Sequence, residues 1–335
     1  MEAKIASRLP EGADWEYEPK WDGFRCLAFR NGKNVQLQSK AGQPLTRYFP
    51  EIAAALVTMS ATDFVLDGEL ILPIHGRLSF DDLLQRIHPA ASRVKKLSET
   101  HPARLVVFDL LVDQKGTSWI SQPLEKRRIA LEAFHAKYLA DTPGIVLSRA
   151  TRDIKVAQDW LSSTRGQLDG VVAKRIDQPY LSGERAMLKV KTIRSADCVG
   201  GGFRYASGAK AVGSLLLGLY DDGLLHHVGF TSSMPAQARP ALTRKLEALI
   251  GPPGFTGRAP GGPSRWSTKR SSEWEPLKPE LVVEVQYDHF TGERFRHGTK
   301  LLRWRPDKAP RQCTMDQVVF ESKVPIAKLI ARSSA

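Results

Sequence analysis

The chain has 335 residues, a formal net charge of +13 and a sequence isoelectric point of about 9.7. That length suits about two domains with a sizeable core. The positive excess favours a polyanionic partner, nucleic acid first, through long-range attraction and counterion release. Cys26, Cys198 and Cys313 are far apart with no Cys-x-x-Cys, which excludes a disulfide framework or a zinc site of the usual spacing and fits a reducing cytoplasm. There is no signal-peptide core, and no apolar run approaches the roughly 20 residues of a spanning helix, so no membrane role is expected.

Near the N-terminus, Lys20-Trp21-Asp22-Gly23-Phe24-Arg25 follows the acidic and aromatic Trp15-Glu16-Tyr17-Glu18-Pro19. Short apolar, β-branched runs predict strands at 64–72, 105–112, 145–148 and 170–173. Between them, Leu124, Leu131, Phe134 and Tyr138 recur near helical spacing and predict a helix over 124–139, with Ser121 as cap and Pro123 near the first turn. Lys126, Arg127 and Arg128 read as its solvated face. A second helix is predicted over 153–165, stopping at Gly166, with Ile154, Ala157, Trp160 and Leu161 as its buried stripe.

Beyond Arg194 the texture becomes β-rich and glycine-punctuated, with strands predicted at 197–205, 211–220, 224–231, 281–287 and 301–305. One helix, 236–250, ends at Gly251-Pro252-Pro253. Five strands and one helix point to a small barrel of the oligonucleotide-binding type. Gly200-Gly201-Gly202 reads as a bulge, and 254–272, rich in Gly, Pro, Ser, Arg and Lys, as a mobile loop that either grips phosphates or is simply flexible. His226 and His227 read as packing residues, His289 and His297 as surface residues.

No phosphate loop and no Gly-x-Gly-x-x-Gly fingerprint is present, so nucleotide binding needs another architecture. Lys20 to Arg25 resembles the Lys-x-Asp-Gly-x-Arg acceptor motif of the covalent nucleotidyltransferases, which include DNA ligases, RNA ligases and capping enzymes. Further segments resemble that family's pattern in order. They are Ser39-Lys40-Ala41-Gly42, Asp67-Gly68-Glu69, Val107-Phe108-Asp109-Leu110, Asp169-Gly170-Val171-Val172-Ala173-Lys174, Lys189-Val190-Lys191 and Arg305-Pro306-Asp307-Lys308. Over about residues 15–315 the chain is similar to the small bacterial ATP-dependent DNA ligases of the ligase C and end-joining groups.

The resemblance implies an α+β fold: an ATP-grasp-like adenylation domain, 1–195, followed by an oligonucleotide-binding-fold β-barrel domain with a short C-terminal extension, 196–335. It implies ATP as AMP donor, Mg²⁺ or Mn²⁺, and nicked or broken double-stranded DNA as substrate. DNA-repair proteins are expected as further partners of a cytoplasmic, nucleoid-associated monomer. Lys20 would be the nucleophile; Phe108 would stack on adenine and Glu18 read its edge; Glu69 would contact ribose or metal, and Asp169 metal. Arg25 would contact ribose or the DNA end, Lys189 and Lys191 the phosphates, and Lys40 the 5′-phosphate. Arg305, Asp307 and Lys308 would face ATP in the first step and swing away afterwards.

The residue types suit the chemistry. A lysine attacks phosphorus as the neutral amine, and its usual pKa of about 10.4 leaves a deficit of roughly 4 kcal/mol near neutral pH, which neighbouring positive charge reduces. Two departures stand out: Asp169 where many members carry Glu, and Lys40 where ligases commonly carry Arg, which loses bidentate phosphate geometry. Only about 20 residues precede the nucleophile, so a weak grip on a lone nick is expected. The alternatives are an RNA ligase, a capping-type enzyme, or an inert DNA-binding protein on a ligase scaffold.

Overall fold

The computed structural model describes residues 1–163, 168–261, 273–319 and 329–330. The chain divides into two compact units, Met1–Thr192 with Glu321–Ala335, and Ile193–Phe320.

The strands of the first unit are β1 (Ala3–Ile5), β2 (Trp15–Lys20), β3 (Phe24–Asn31), β4 (Asn34–Ser39), β5 (Asp63–Ile71), β6 (Pro73–Ile74), β7 (Arg77–Leu78), β8 (Arg104–Val112), β9 (Ile145–Leu147), β10 (Gly170–Arg175) and β11 (Met187–Lys191). Its helices are α1 (Pro50–Thr58), α2 (Phe80–Gln85), α3 (Ala91–Thr100), α4 (Leu124–Phe134) and α5 (Ile154–Ser163). Two sheets form its frame, in the orders β4-β3-β5-β8-β9 and β1-β11-β10-β2. The near-continuous apolar run of β8 fits a strand covered on both faces. On its inner face, Val106 with Ile71 of β5 packs against Tyr17, Val171 and Val190 of the smaller sheet, and Leu329 joins this core. On its outer face, Leu105 and Val107 pack with Ile52 and Leu56 of α1 and Leu131 and Phe134 of α4.

The predicted strands appear within a residue or two, with 170–173 extended to Arg175. The 124–139 helix is α4 followed by a wider π turn over His135–Leu139, and Pro123, not Ser121, occupies its cap position. Its basic face needs correcting. Lys126 is exposed, but Arg127 is buried in a two-pronged pair with Asp109, and Arg128 is buried against the Ser148 carbonyl and Glu132. Helical period marks which positions point inward; it does not show that a carboxylate waits there. Trp160 is core, as expected. The stop of the 153–165 helix at Gly166 and most of the 254–272 loop lie outside the described residues.

The second unit contains β12 (Arg194–Tyr205), β13 (Val212–Asp221), β14 (Leu224–Thr231), α6 (Arg239–Glu247), β15 (Glu275–Pro276), β16 (Val282–Tyr287), β17 (Phe290–Thr291), β18 (Arg294–Phe295) and β19 (Lys300–Trp304). Its ladder runs β14-β13-β12-β16-β19, with β15 also on β12. The expected barrel is not closed by strand pairing among the described residues. One parallel bridge, Thr231 to Thr299, joins the ends of the ladder, and Phe295 of β18 packs against Gly229 of β14 beside it. The triple glycine is a register shift, as expected, and it also admits two rings. A Cβ on Gly201 would lie 2.6 Å from Phe255, and one on Gly202 2.5 Å from Trp274. His227 packs on Phe255, and its burial lowers its pKa to about 4. His297 is exposed, whereas His289 is buried, contrary to its surface reading.

Candidate active site

Strand register assembles the lysines. Glu18 and Lys20 are two apart on β2 and share a face. Glu18 lies opposite Val172 of β10, which lies opposite Lys189 of β11; Lys20 lies opposite Gly170, which lies opposite Lys191. Facing residues of an antiparallel ladder project from the same side. Two transverse rows therefore put Glu18, Lys20, Lys189 and Lys191 on one face.

Gly170 is what the centre of the second row requires. Its φ is +142°, and a Cβ there would lie 2.0 Å from the Val190 carbonyl oxygen. The Asp169 N–H donates to the Lys20 carbonyl at 2.9 Å, which turns the Asp169 side chain onto the lysines. Its Oδ2 is in contact with Lys20 Nζ, and its Oδ1 lies 3.3 Å from Lys191 Nζ. Asp169 is buried, while Lys20 keeps 23% of its side-chain surface.

The larger sheet supplies the opposite wall. Arg25 of β3 faces Glu69 of β5 in register. Between Asp67–Asp109 and Gly68–Val107 the β5–β8 ladder shifts, leaving Phe108 as the extra residue of a bulge. A bulge re-aims a side chain, and here it accounts for Phe108 reaching the cavity. That cavity, about 610 Å³, is lined by Glu18, Lys20, Arg25, Lys40, Glu69, Phe108 and Lys189, so seven expected site residues converge. Its size lies within the usual range for a small-molecule pocket.

Several participants were not expected. Lys174, the last residue of the Asp-Gly-Val-Val-Ala-Lys segment, is buried. It donates to Glu18 Oε1 at 2.6 Å and lies 4.8 Å from the Phe108 ring centre. Arg25 also approaches that ring, at 5.6 Å, but its guanidinium is gripped by Asp67 at 3.0 and 2.6 Å. Tyr180 donates to the same carboxylate at 2.7 Å. Arg185 lines the rim, and Lys40 pairs with Glu2 at 2.7 Å.

The electrostatics are uneven. Burial lowers the Lys189 pKa, and the positive charges of Lys20 and Lys191 lower it further. Burial pushes Glu69 up to about 8 against the pull of Lys20 and Arg25. Among the described residues no group of three or more His, Cys, Asp or Glu side chains is set to cage a metal. Glu69 and Asp169 are oxygen donors of the kind that Mg²⁺ takes alongside substrate phosphates, and Asp169 already contacts Lys20 and Lys191.

In the second unit, Arg305, Asp307 and Lys308 form their own cluster. Arg305 Nη2 donates to Asp307 at 2.8 Å, and this bond holds the Asp307 carboxyl down at about 2.

Residues 2–191 match the family model described as ATP dependent DNA ligase domain, and residues 208–308 match ATP dependent DNA ligase C terminal region. The chain belongs to the ATP-dependent DNA ligases. It is 44% identical to DNA ligase C2 and 46% identical to DNA ligase C1 of Mycolicibacterium smegmatis. The first match covers 95% of this chain and 93% of the relative, the second 95% and 92%. Among solved structures it resembles a Lig E DNA ligase, at 16% identity and a TM-score of 0.56, covering 91% of this chain and 99% of that one. This last likeness bears on the fold alone. The ligase therefore acts on nicked DNA and uses ATP. Among the described residues it has no helix long and apolar enough to cross a membrane.

Proposed function

We propose that Lys20 carries the AMP. In the first step the Lys20 Nζ–phosphorus bond forms at the α-phosphate, the bond to the β-phosphate oxygen breaks, and pyrophosphate departs with that electron pair. The amine gives up its proton; Asp169, in contact with Nζ, aligns it and is an acceptor within reach. A nick 5′-phosphate then takes the AMP, and the 3′-hydroxyl displaces it to seal the strand. The observation that carries this reading is the meeting of Lys20 and Lys191 on Asp169 beside a cavity with an aromatic side chain and a buried ion pair in its wall.

Phe108 would hold the adenine face and the Glu18–Lys174 pair its edge, while Arg25 and Glu69 would meet the ribose. Lys189 and Lys191 would neutralise the phosphates as charge shifts onto pyrophosphate, and Lys40 would receive the DNA 5′-phosphate. Glu69 and Asp169 would hold Mg²⁺ or Mn²⁺, which supplies further charge neutralisation at the phosphates. Arg305, Asp307 and Lys308 would serve the first step from the second domain, with the boundary near residue 195. We place this monomeric activity in DNA repair, in a bacterial cytoplasm in association with the nucleoid and with repair proteins.

Intact mass after incubation with ATP and Mg²⁺ or Mn²⁺ tests the reading. One added AMP is expected, and none in Lys20→Ala. An adduct from GTP but not ATP overturns it in favour of capping chemistry. Nicks with RNA or DNA on the 3′ side decide between RNA and DNA joining.

A further inference from the structure

Arg305 and Lys308 are held by a carboxylate outside the motif that contains them. Asp197 lies on β12, opposite Glu284 of β16. Its Oδ1 accepts from Arg305 Nη1 at 2.9 Å, and its Oδ2 accepts from Lys308 Nζ at 2.9 Å. Arg305 spends its Nε and Nη2 donors on Asp307, at 3.0 and 2.8 Å. Arg305 is thus a bridge between two carboxylates. Lys308 gives Asp197 one of the three donors of an ammonium.

The backbone of Asp197 is fixed by other means. Its N–H donates to Gln317 Oε1 at 3.1 Å, and its carbonyl accepts from Gln317 Nε2 at 3.2 Å. The strand also sits between β13 and β16 in the ladder. An amide side chain at 197 would leave those supports in place while removing the charge that grips both cations.

We propose that Asp197 is a positioning residue for the reaction with ATP. It fixes the Arg305 bridge and the position of the Lys308 ammonium. This rests on the reading that Arg305, Asp307 and Lys308 serve the first step. The same cations have no such task once AMP is already on the DNA, so Asp197 matters for lysyl-AMP formation and not for the closing step.

Two assays on the full chain test this with Asp197→Asn, Asp197→Glu and Lys308→Ala. The first is single-turnover lysyl-AMP formation from labelled ATP; the second is sealing of a nick that already carries AMP on its 5′-phosphate. Asp197→Asn is expected to slow lysyl-AMP formation on the order of 10²-fold, the scale of a small misplacement of a reacting group. The loss should appear in the rate at saturating ATP, and sealing should be unchanged, which also reports that the variant is folded. Asp197→Glu, which keeps the charge, should recover part of the rate. Equal losses in both assays, or no loss in either, overturn the proposal. A loss in Lys308→Ala without one in Asp197→Asn overturns it while leaving the role of the motif intact. Unchanged lysyl-AMP formation in Lys308→Ala overturns that role and the proposal together.

Discussion

Lys20 and Lys191 face the same glycine from opposite sides. Each is directly across the ladder from Gly170, and Asp169, one residue earlier, touches both ammonium groups. The absence of a side chain at the centre of this row is a steric requirement, because the carbonyl of Val190 occupies the space a Cβ would need. Gly170→Ala is therefore expected to cost about 3 kcal/mol or more in stability, from backbone strain and displaced strand pairing. It should also depress lysyl-AMP formation at temperatures where the variant remains folded. Denaturant unfolding and intact mass measure the two effects, and wild-type stability in the variant contradicts the steric account.

Glu69 gives a pH signature. Its pKa in the folded chain, about 8, lies above its ordinary 4.5, so between those values the folded state binds more protons than the unfolded one. Stability from this group is present at low pH and is lost as pH rises through that window. Glu69→Gln keeps the shape and removes the titration. In melting curves without nucleotide, the variant's gain over wild type should be absent below pH 4.5, grow up to about pH 8 and then level off. A gain independent of pH sinks the assignment.

Two neighbours on α4 should behave in opposite ways. Arg127 is buried on Asp109, and it also donates to the carbonyls of Gln122 and Gln178 at 2.7 and 3.0 Å. Arg127→Met strands a buried carboxylate beside the Phe108 bulge and should cost about 3–5 kcal/mol. Exposed Lys126→Met should fall within about 0.5 kcal/mol of wild type. Equal effects of the two in urea unfolding would contradict the burial of Arg127.

Much of the site was legible because this chemistry is written locally. Glu18, Lys20 and Arg25 fall within eight consecutive residues, and strand period already puts Glu18 and Lys20 on one face. What escaped depends on partners remote in sequence. Nothing local gives Lys174 a role, since Glu18 is 156 residues away and only strand register brings them together. Asp197 has no partner near it in sequence, because its two cations lie 108 and 111 residues further on. The barrel was inferred from strand number, which says nothing of whether the edge strands pair. Arg127 was misread because periodicity reports direction and not what is met there.

The Glu18–Lys174 pair offers the most demanding test of the pocket's interior. Both side chains are almost fully buried, and their separation of 2.6 Å is that of a charge-assisted hydrogen bond. Lys174→Met leaves the Glu18 carboxylate buried without its ammonium, and Glu18→Gln leaves the converse. Each single change should destabilise by about 3–5 kcal/mol. The double variant should cost less than the sum, because neither charge then remains stranded. If the pair also meets the adenine edge, the double variant should bind ATP more weakly even though its stability is largely recovered. Urea unfolding and ATP titration of the four proteins separate the two roles: additive stability losses disprove the coupling, and undiminished ATP affinity in the double variant removes the pair from the base-reading site.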